Sequence, residues 1–161
     1  MILSTHAIVG GAIASLFPSH PVLVALAAFA SHYAIDAIPH WDYSLRSISL
    51  GKRAHNQWLK IDAGLVRDLA LIGFDACAGL ALAVLLFATP TTAWVIALGA
   101  IAGMLPDPLQ FLHSVYPREP LISLQRFHSG MHSKRRLAWR IGTSSQAAFA
   151  AVVSAVAIAF Q

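Results

Sequence analysis

The chain has 161 residues, of which 57% are hydrophobic and only 11% are charged, and its formal net charge at pH 7 is +4. This composition excludes an ordinary soluble protein and indicates a single integral membrane domain, residues 1–161. Cys77 is the sole cysteine, which excludes a disulfide framework and a thiolate metal cluster, so a metal ion would need nitrogen and oxygen ligands.

Five apolar segments predict an all-α fold, a polytopic bundle of about five transmembrane helices with a short interfacial helix. The segments cover about 3–17, 21–38, 64–88, 91–106 and 138–160. Because about 20 helical residues cross the hydrocarbon, the third and fifth segments are long enough and the first and fourth are short. Proline-containing turns at 18–21 and 89–92 join neighbouring segments. Gly99 and Gly103, in a G-x-x-x-G spacing, predict close helix packing.

The basic residues predict which side of the membrane each loop occupies. All 11 Lys and Arg residues lie in the loops 41–63 and 107–137 or at the start of the helix that follows each loop, while the two proline turns have none. The positive-inside rule makes these loops cytoplasmic, with the N-terminus cytoplasmic and the C-terminus outside a bacterial inner membrane. Membrane lipids, with their anionic headgroups, are then the expected partner of these charges, and no nucleic-acid partner is predicted.

Histidines and aspartates cluster at the ends of the apolar segments, and the topology brings these clusters to the same cytoplasmic end. Imidazoles and carboxylates are costly to desolvate in lipid, so several that meet at one depth need a compensating cation. We therefore predict one or two divalent ions (zinc, manganese or iron) from this mixture of nitrogen and oxygen ligands. The predicted metal ligands are His6, His32, Asp36, Asp107, His128 and His132.

Two pairs among these ligands have helical spacing. His32 and Asp36 are four residues apart, as are His128 and His132, so each pair lies on one face of a helix. A purely structural interpretation is also open for the first pair, in which Asp36 orients His32 within a packed, neutral hydrogen-bonded pair. Two histidines at this spacing recur in zinc sites, although the metalloprotease motif is absent here because no Glu follows the first one.

Prolines determine how the neighbouring residues approach this point. Pro39 ends or kinks its helix, so that His40 and Asp42 fold back toward the predicted ligands, where either could serve as a proton shuttle in catalysis. Asp107 lies between two prolines and is equally well interpreted as the N-cap of a short helix that begins at Pro108.

The remaining polar residues have secondary roles. His113 is a second-rank candidate for the site, although a lone histidine near the interface is more often a packed amphipathic side chain. Asp75, inside the third segment, is predicted to accept a hydrogen bond from a ligand histidine. His20 and His55 are predicted to be solvated. Four basic side chains are predicted to hold an anionic substrate headgroup: Arg126, Lys134, Arg135 and Arg136.

These motifs resemble those of the YdjM-like group of small inner-membrane, metal-dependent hydrolases. The matching elements are Thr5-His6, Leu105-Pro106-Asp107, His128-Ser129-Gly130-Met131-His132-Ser133, and Ser31-His32 with Asp36. The chain departs from that group in that its Ser-His-x-x-x-Asp element comes early and Leu109 stands where a second aspartate is usual. The resemblance implies a metal-binding hydrolase that acts on phosphoesters.

The leading functional hypothesis is a membrane-embedded metal-dependent hydrolase, in which metal-activated water attacks a phosphoester or lipid-like substrate at the cytoplasmic interface. Three alternatives stay open. The same residues could form a metal or proton transport relay. His6 or His32 could pair with His128 as the axial ligands of a haem. Finally, the histidines could merely pack in a membrane scaffold without enzymatic activity.

Overall fold

The computed structural model describes residues 1–48 and 62–161, which contain seven helices and no strand. The helices are α1 (Leu3–Leu16), α2 (Pro21–Asp36), α3 (Ala63–Phe87), α4 (Ala93–Met104), α5 (Pro106–Val115), α6 (Leu121–Met131) and α7 (Trp139–Ala159). The predicted all-α class is confirmed. His55 and most of the predicted loop 41–63 lie outside the described residues.

Two helices, α3 with 25 residues and α7 with 21, are long and apolar enough to cross a membrane. A third span is possible if α4 and α5, which meet at a bend of 47°, are counted together. Helices α1 and α2 have 14 and 16 residues. At 1.5 Å per residue they extend about 21 and 24 Å, less than the roughly 30 Å of a bilayer core. The number of candidate spans is thus two to three, and the predicted five are not confirmed.

Helix α1 forms the centre of the bundle. It packs against α2, α3, α4 and α7, and most of its residues are buried. Helix α3 differs, because large apolar side chains on its outer face are exposed, among them Phe74 at 78% and Leu85 at 81%. An apolar face of this size is suited to contact with lipid.

Helices α1 and α4 approach closely because their contact residues lack side chains. A Cβ atom on Gly10 would collide with the carbonyl of Gly99, and the reverse also holds. A Cβ atom on Gly103 would lie 2.6 Å from the carbonyl oxygen of His6. The close packing predicted at Gly99 and Gly103 is confirmed, and it places His6 beside the C-terminal end of α4.

Side chains from three other parts of the chain cap the N-terminus of α1, whose first amides have no partner within the helix. The bonds run from Ile2 N–H to Gln146 Oε1 (2.9 Å), from Leu3 N–H to Tyr43 Oη (2.8 Å) and from Ser4 N–H to Asp75 Oδ2 (2.9 Å). Tyr43 in turn donates its hydroxyl hydrogen to Asp75. The prediction that Asp75 pairs with a ligand histidine is therefore wrong, because its carboxylate caps the helix that carries His6.

A pair of extended segments joins the end of α2 to the end of α6. Helix α6 stops before His132, whose backbone is extended (φ −62°, ψ 131°). Ser133 N–H then donates to the carbonyl of Asp36 at 2.8 Å, and Leu137 N–H donates to the carbonyl of His40 at 2.9 Å. These two bonds bring His132 next to the C-terminus of α2.

Candidate metal centre

The carboxylate of Asp36 is the point at which the predicted clusters meet. It is 1% exposed, and five histidines direct their Nε2 atoms toward it. Asp36 Oδ2 lies 3.2 Å from His128, 3.4 Å from His32 and 3.7 Å from His132, while Oδ1 lies 3.2 Å from His6 and 3.9 Å from His40. The prediction that separate sequence clusters converge is confirmed.

Two sets of potential ligands surround Asp36 and share it. The inner group consists of His32, Asp36, Asp107 and His128, and the outer group consists of Asp36, His40 and His132. Within each group one ligand atom per residue lies within 4.8 Å of every other, so either group could hold a metal ion. His40, predicted as a proton shuttle, thus lies among potential metal ligands.

Asp107 enters the inner group from the first turn of α5. That helix begins at Pro106 with Leu105 in the N-cap position, so the interpretation of Asp107 as the N-cap of a helix starting at Pro108 is wrong. Its Oδ1 atom is 3.6 Å from Nε2 of His32 and 4.0 Å from Nε2 of His128. The bend between α4 and α5 aims this carboxylate at the histidines.

Three of the histidines have their outer ring nitrogen held by a backbone carbonyl. These contacts are His32 Nδ1 to Gly103 O (2.9 Å), His40 Nδ1 to Ile38 O (2.6 Å) and His132 Nδ1 to Ser133 O (3.1 Å). A carbonyl oxygen only accepts, so each Nδ1 carries the proton, and in the neutral imidazole Nε2 presents a lone pair. This is the arrangement that orients metal-binding histidines.

The inward Nε2 atoms of His32 and His40 are fully buried and make no hydrogen bond. Lone pairs that face a carboxylate repel it, and buried polar atoms without a partner are costly. His128 differs, because its Nε2 donates to Asp36 Oδ2 at 3.2 Å. The purely structural interpretation, in which Asp36 orients His32, is not supported, because the carbonyl of Gly103 orients this ring.

His6 lies next to both groups without belonging to either. Its ring is completely buried and stacks on that of His32, with centroids 3.8 Å apart and planes inclined by 17°. Neither of its ring nitrogens makes a hydrogen bond. Its role as a metal ligand stays a prediction.

Asp42 borders the outer group. Its Oδ1 lies 2.9 Å from Nε2 of His40, and its Oδ2 lies 3.7 Å from Nε2 of His132. Burial lowers the pKa of His132 below its usual range, so this imidazole is uncharged near pH 7. The amino group of Met1 lies 3.5 Å from Oδ1 of Asp42 and also contacts Asp36.

An open cavity of about 860 Å³ reaches both groups, with Asp42, Asp107, His128 and His132 in its lining. Its apolar lining residues include Leu45, Ile48, Leu69, Ile72 and Phe111. Of the four basic residues predicted to hold a headgroup, Lys134 and Arg136 line this cavity. Arg126 and Arg135 are exposed and are not among its lining residues.

The remaining histidines of the described residues lie apart from this centre. His113, on α5, belongs to neither group, and His20, at the start of α2, is exposed. Sequence reasoning missed Tyr43 and Gln146, which cap α1. Gln146 carried a usable signal, because an amide within an otherwise apolar segment needs partners for its donors and acceptor.

The fold and the site define an all-helical protein with two to three candidate membrane spans and buried His/Asp groups that could hold a metal ion. No family model matches the chain, and neither the curated proteins nor the solved structures gave a match. The motif resemblance stated above therefore stays a prediction.

Proposed function

We propose that this protein is a membrane-embedded, metal-dependent hydrolase that acts on an anionic, lipid-like phosphoester at the cytoplasmic interface. The observation that carries the proposal is the orientation of the histidines at Asp36. His32, His40 and His132 each donate Nδ1–H to a carbonyl and turn Nε2 toward one buried carboxylate. The lone pairs of these Nε2 atoms and of the Asp36 oxygens would otherwise repel each other. A divalent cation bound between them would accept both as ligands.

The donor set supports zinc, manganese or iron, because imidazoles and carboxylates are mixed in it. A bound ion of this kind supplies a hydroxide near neutral pH and polarises a phosphoryl oxygen. The chain itself orients the ligands through backbone carbonyls and places the carboxylate of Asp42 beside the outer group. Asp42 thereby adds negative charge next to a bound ion.

The membrane arrangement that we propose keeps α1 as a short, buried span and α2 as a short span with an exposed apolar face, beside α3, α7 and the bent α4–α5 pair. Helix α6 then lies at the cytoplasmic interface. The distribution of Lys and Arg supports an inner-membrane protein with a cytoplasmic N-terminus and an outer C-terminus. Single cysteines at the exposed residues Ser44 and Thr91 in a Cys77→Ala background are expected to be labelled from opposite faces. Labelling of both from one face would overturn this topology.

The cavity supports an amphiphilic substrate. Its apolar lining residues, such as Leu69 and Ile72 on α3, suit a hydrocarbon chain, while Lys134 and Arg136 carry charges complementary to an anionic headgroup. Leu69 is 54% exposed on α3, so that a chain could enter from the surrounding leaflet.

The geometry argues against the haem and relay alternatives. His6 and His32 are stacked, and the Asp36 carboxylate lies within 3.4 Å of Nε2 in His6, His32 and His128, where an axially ligated iron would need to be. Asp75 lies within α3 and contacts Ser4 and Tyr43, so its carboxylate is engaged in capping rather than in a transport relay.

The test is hydrolysis by the detergent-purified protein of p-nitrophenyl phosphate and of a phospholipid in mixed micelles. The expected result is activity that a chelator removes and that zinc, manganese or iron restores. Lys134→Ala and Arg136→Ala should raise the KM for the phospholipid several-fold, and the matched variants Arg126→Ala and Arg135→Ala should not. Chelator-resistant activity, or no hydrolysis of either substrate with any of the metals, would overturn the proposal.

A further inference from the structure

The outer group has the features of a built ligand site in its own right. His40 is 1% exposed, and its Nε2 is buried without a hydrogen bond although a carboxylate oxygen of Asp42 lies 2.9 Å away. His132 faces the same space, with Nε2 3.7 Å from one oxygen of Asp36 and 3.7 Å from one oxygen of Asp42. Asp36, His40 and His132 each offer one ligand atom within 4.8 Å of the other two, and Asp42 borders them. The amino group of Met1 contacts both carboxylates, so an ion at this point would take its place.

Backbone bonds hold the outer group in place. The bonds from Ser133 N–H to the carbonyl of Asp36 and from Leu137 N–H to the carbonyl of His40 lock two extended segments together. The rings of His40 and His132 are consequently held with their centroids 4.7 Å apart. Ligands fixed by the backbone in this way lose little freedom when an ion binds.

Both groups meet at the carboxylate of Asp36. Its Oδ2 lies 3.2 and 3.4 Å from Nε2 of His128 and His32 in the inner group and 3.7 Å from Nε2 of His132 in the outer group. Its Oδ1 lies 3.9 Å from Nε2 of His40 and contacts the amino group of Met1. A carboxylate placed in this way can bridge two cations, as carboxylates do in two-metal hydrolytic sites with ions about 3.5–4 Å apart.

We infer that the centre binds two divalent cations bridged by the carboxylate of Asp36. His32, Asp107 and His128 complete the inner site, and His40 and His132 complete the outer site, which Asp42 borders. The inference rests on the proposed metal-dependent function. It extends that function by assigning a second ion to His40 and His132, and so does not depend on an aspartate at position 109, where this chain has Leu109. The outer ion borders the cavity that contains Lys134 and Arg136, so it is the ion placed to meet an anionic substrate.

The experiment counts ions per chain. The full-length protein is purified in detergent, stripped with a chelator, reloaded with manganese and assayed by elemental analysis. The expected content is two ions in the wild type, one in His132→Ala and one in His40→Ala. The matched histidine controls, His113→Ala and His20→Ala, should keep two. His132 lies at the C-terminal end of α6 and is partly exposed, so its variant should fold even if the one at the buried His40 does not.

Electron paramagnetic resonance gives a second measurement that does not depend on activity. Two manganese ions at the expected separation should give an exchange-coupled spectrum in the wild type, and His132→Ala should give the spectrum of an isolated ion. A wild type with one ion that His128→Ala removes and His132→Ala leaves would overturn the second site and leave the hydrolase proposal standing. A wild type that binds none would overturn both.

Discussion

The inner and outer groups share Asp36 but are supported by different kinds of structure. The inner ligands lie on α2, α5 and α6, where His32 and His128 are almost completely buried. The outer ligands His40 and His132 follow the ends of α2 and α6. Each group has one more open ligand, because the side chains of Asp107 and His132 are 28% and 27% exposed and both line the cavity. The groups differ in the number and support of their ligands, since four residues on helices surround the inner point and three residues surround the outer one. We therefore expect the inner ion to dissociate more slowly in a chelator than the outer ion.

The largest expected effect comes from Asp36→Asn, which removes the residue common to both groups. An amide provides no charge to compensate two cations, so affinity at both sites should fall by more than the roughly 10- to 100-fold that loss of an outer-shell partner costs. Elemental analysis after dialysis measures the loss, with Glu119→Gln as a matched control at an exposed acid. Retention of an ion at either site would contradict the shared role of Asp36.

Gly103→Ala is expected to weaken the inner site and the bundle together. The added methyl group would lie 2.6 Å from the carbonyl oxygen of His6 and would displace the backbone that orients His32. Overpacking of this kind costs about 1–3 kcal/mol. Thermal unfolding in detergent and the slow phase of chelation measure both consequences.

The matched control for this variant is Gly73→Ala in α3. A methyl group there meets nothing within 4 Å, and helix propensity favours alanine by about 0.8–1 kcal/mol. If both glycine variants unfolded at the same temperature, the close α1–α4 contact would not contribute to the stability of the bundle in the way expected.

Tyr43→Phe tests whether the stability of α1 can change while the ion content of the two groups stays the same. The change removes the hydroxyl group that accepts a hydrogen bond from Leu3 N–H and donates one to the carboxylate of Asp75. We expect a loss of about 1–2 kcal/mol in the free energy of unfolding, because buried groups are left unsatisfied. The ratio of inner to outer ions should not change, and Tyr116→Phe, at a residue that is 59% exposed, serves as the control. A selective loss of one ion would show that Tyr43 belongs to that site.

The smallest expected effect, confined to the outer group, follows from Ser133→Pro. Proline removes the N–H that bonds to the carbonyl of Asp36, while the extended backbone of His132 already suits a residue before proline. Affinity for the outer ion should fall by about fivefold to tenfold, equivalent to the roughly 1 kcal/mol of one hydrogen bond. Ser133→Ala, which keeps the N–H, should bind normally in the same titration. Equal behaviour of the two variants would show that the strand-like pairing does not position His132.

Much of the centre could be predicted from where polar residues fall in an apolar chain. His32 and Asp36 at one helix end, and His128 and His132 at another, were predicted to converge because neither imidazole nor carboxylate is stable alone at that depth. What could not be predicted were the contacts made by Tyr43, Asp75 and Gln146. These cap α1 across 40 to 144 residues of sequence, and no local pattern encodes partners so distant.

The sequence by itself determined the helical class, the apolar segments and the placing of His and Asp residues at their ends, because hydrophobic content, proline positions and the cost of buried polar groups act locally. The tertiary structure alone decided that Asp36 is the common residue, that His40 and His132 form a second group with it, and that Asp75 serves as a cap. Those outcomes depend on the close contact between α1 and α4 and on the pairing of the segments after α2 and α6. Both arise from packing between residues that are far apart in the chain, where composition and spacing carry no information on distance.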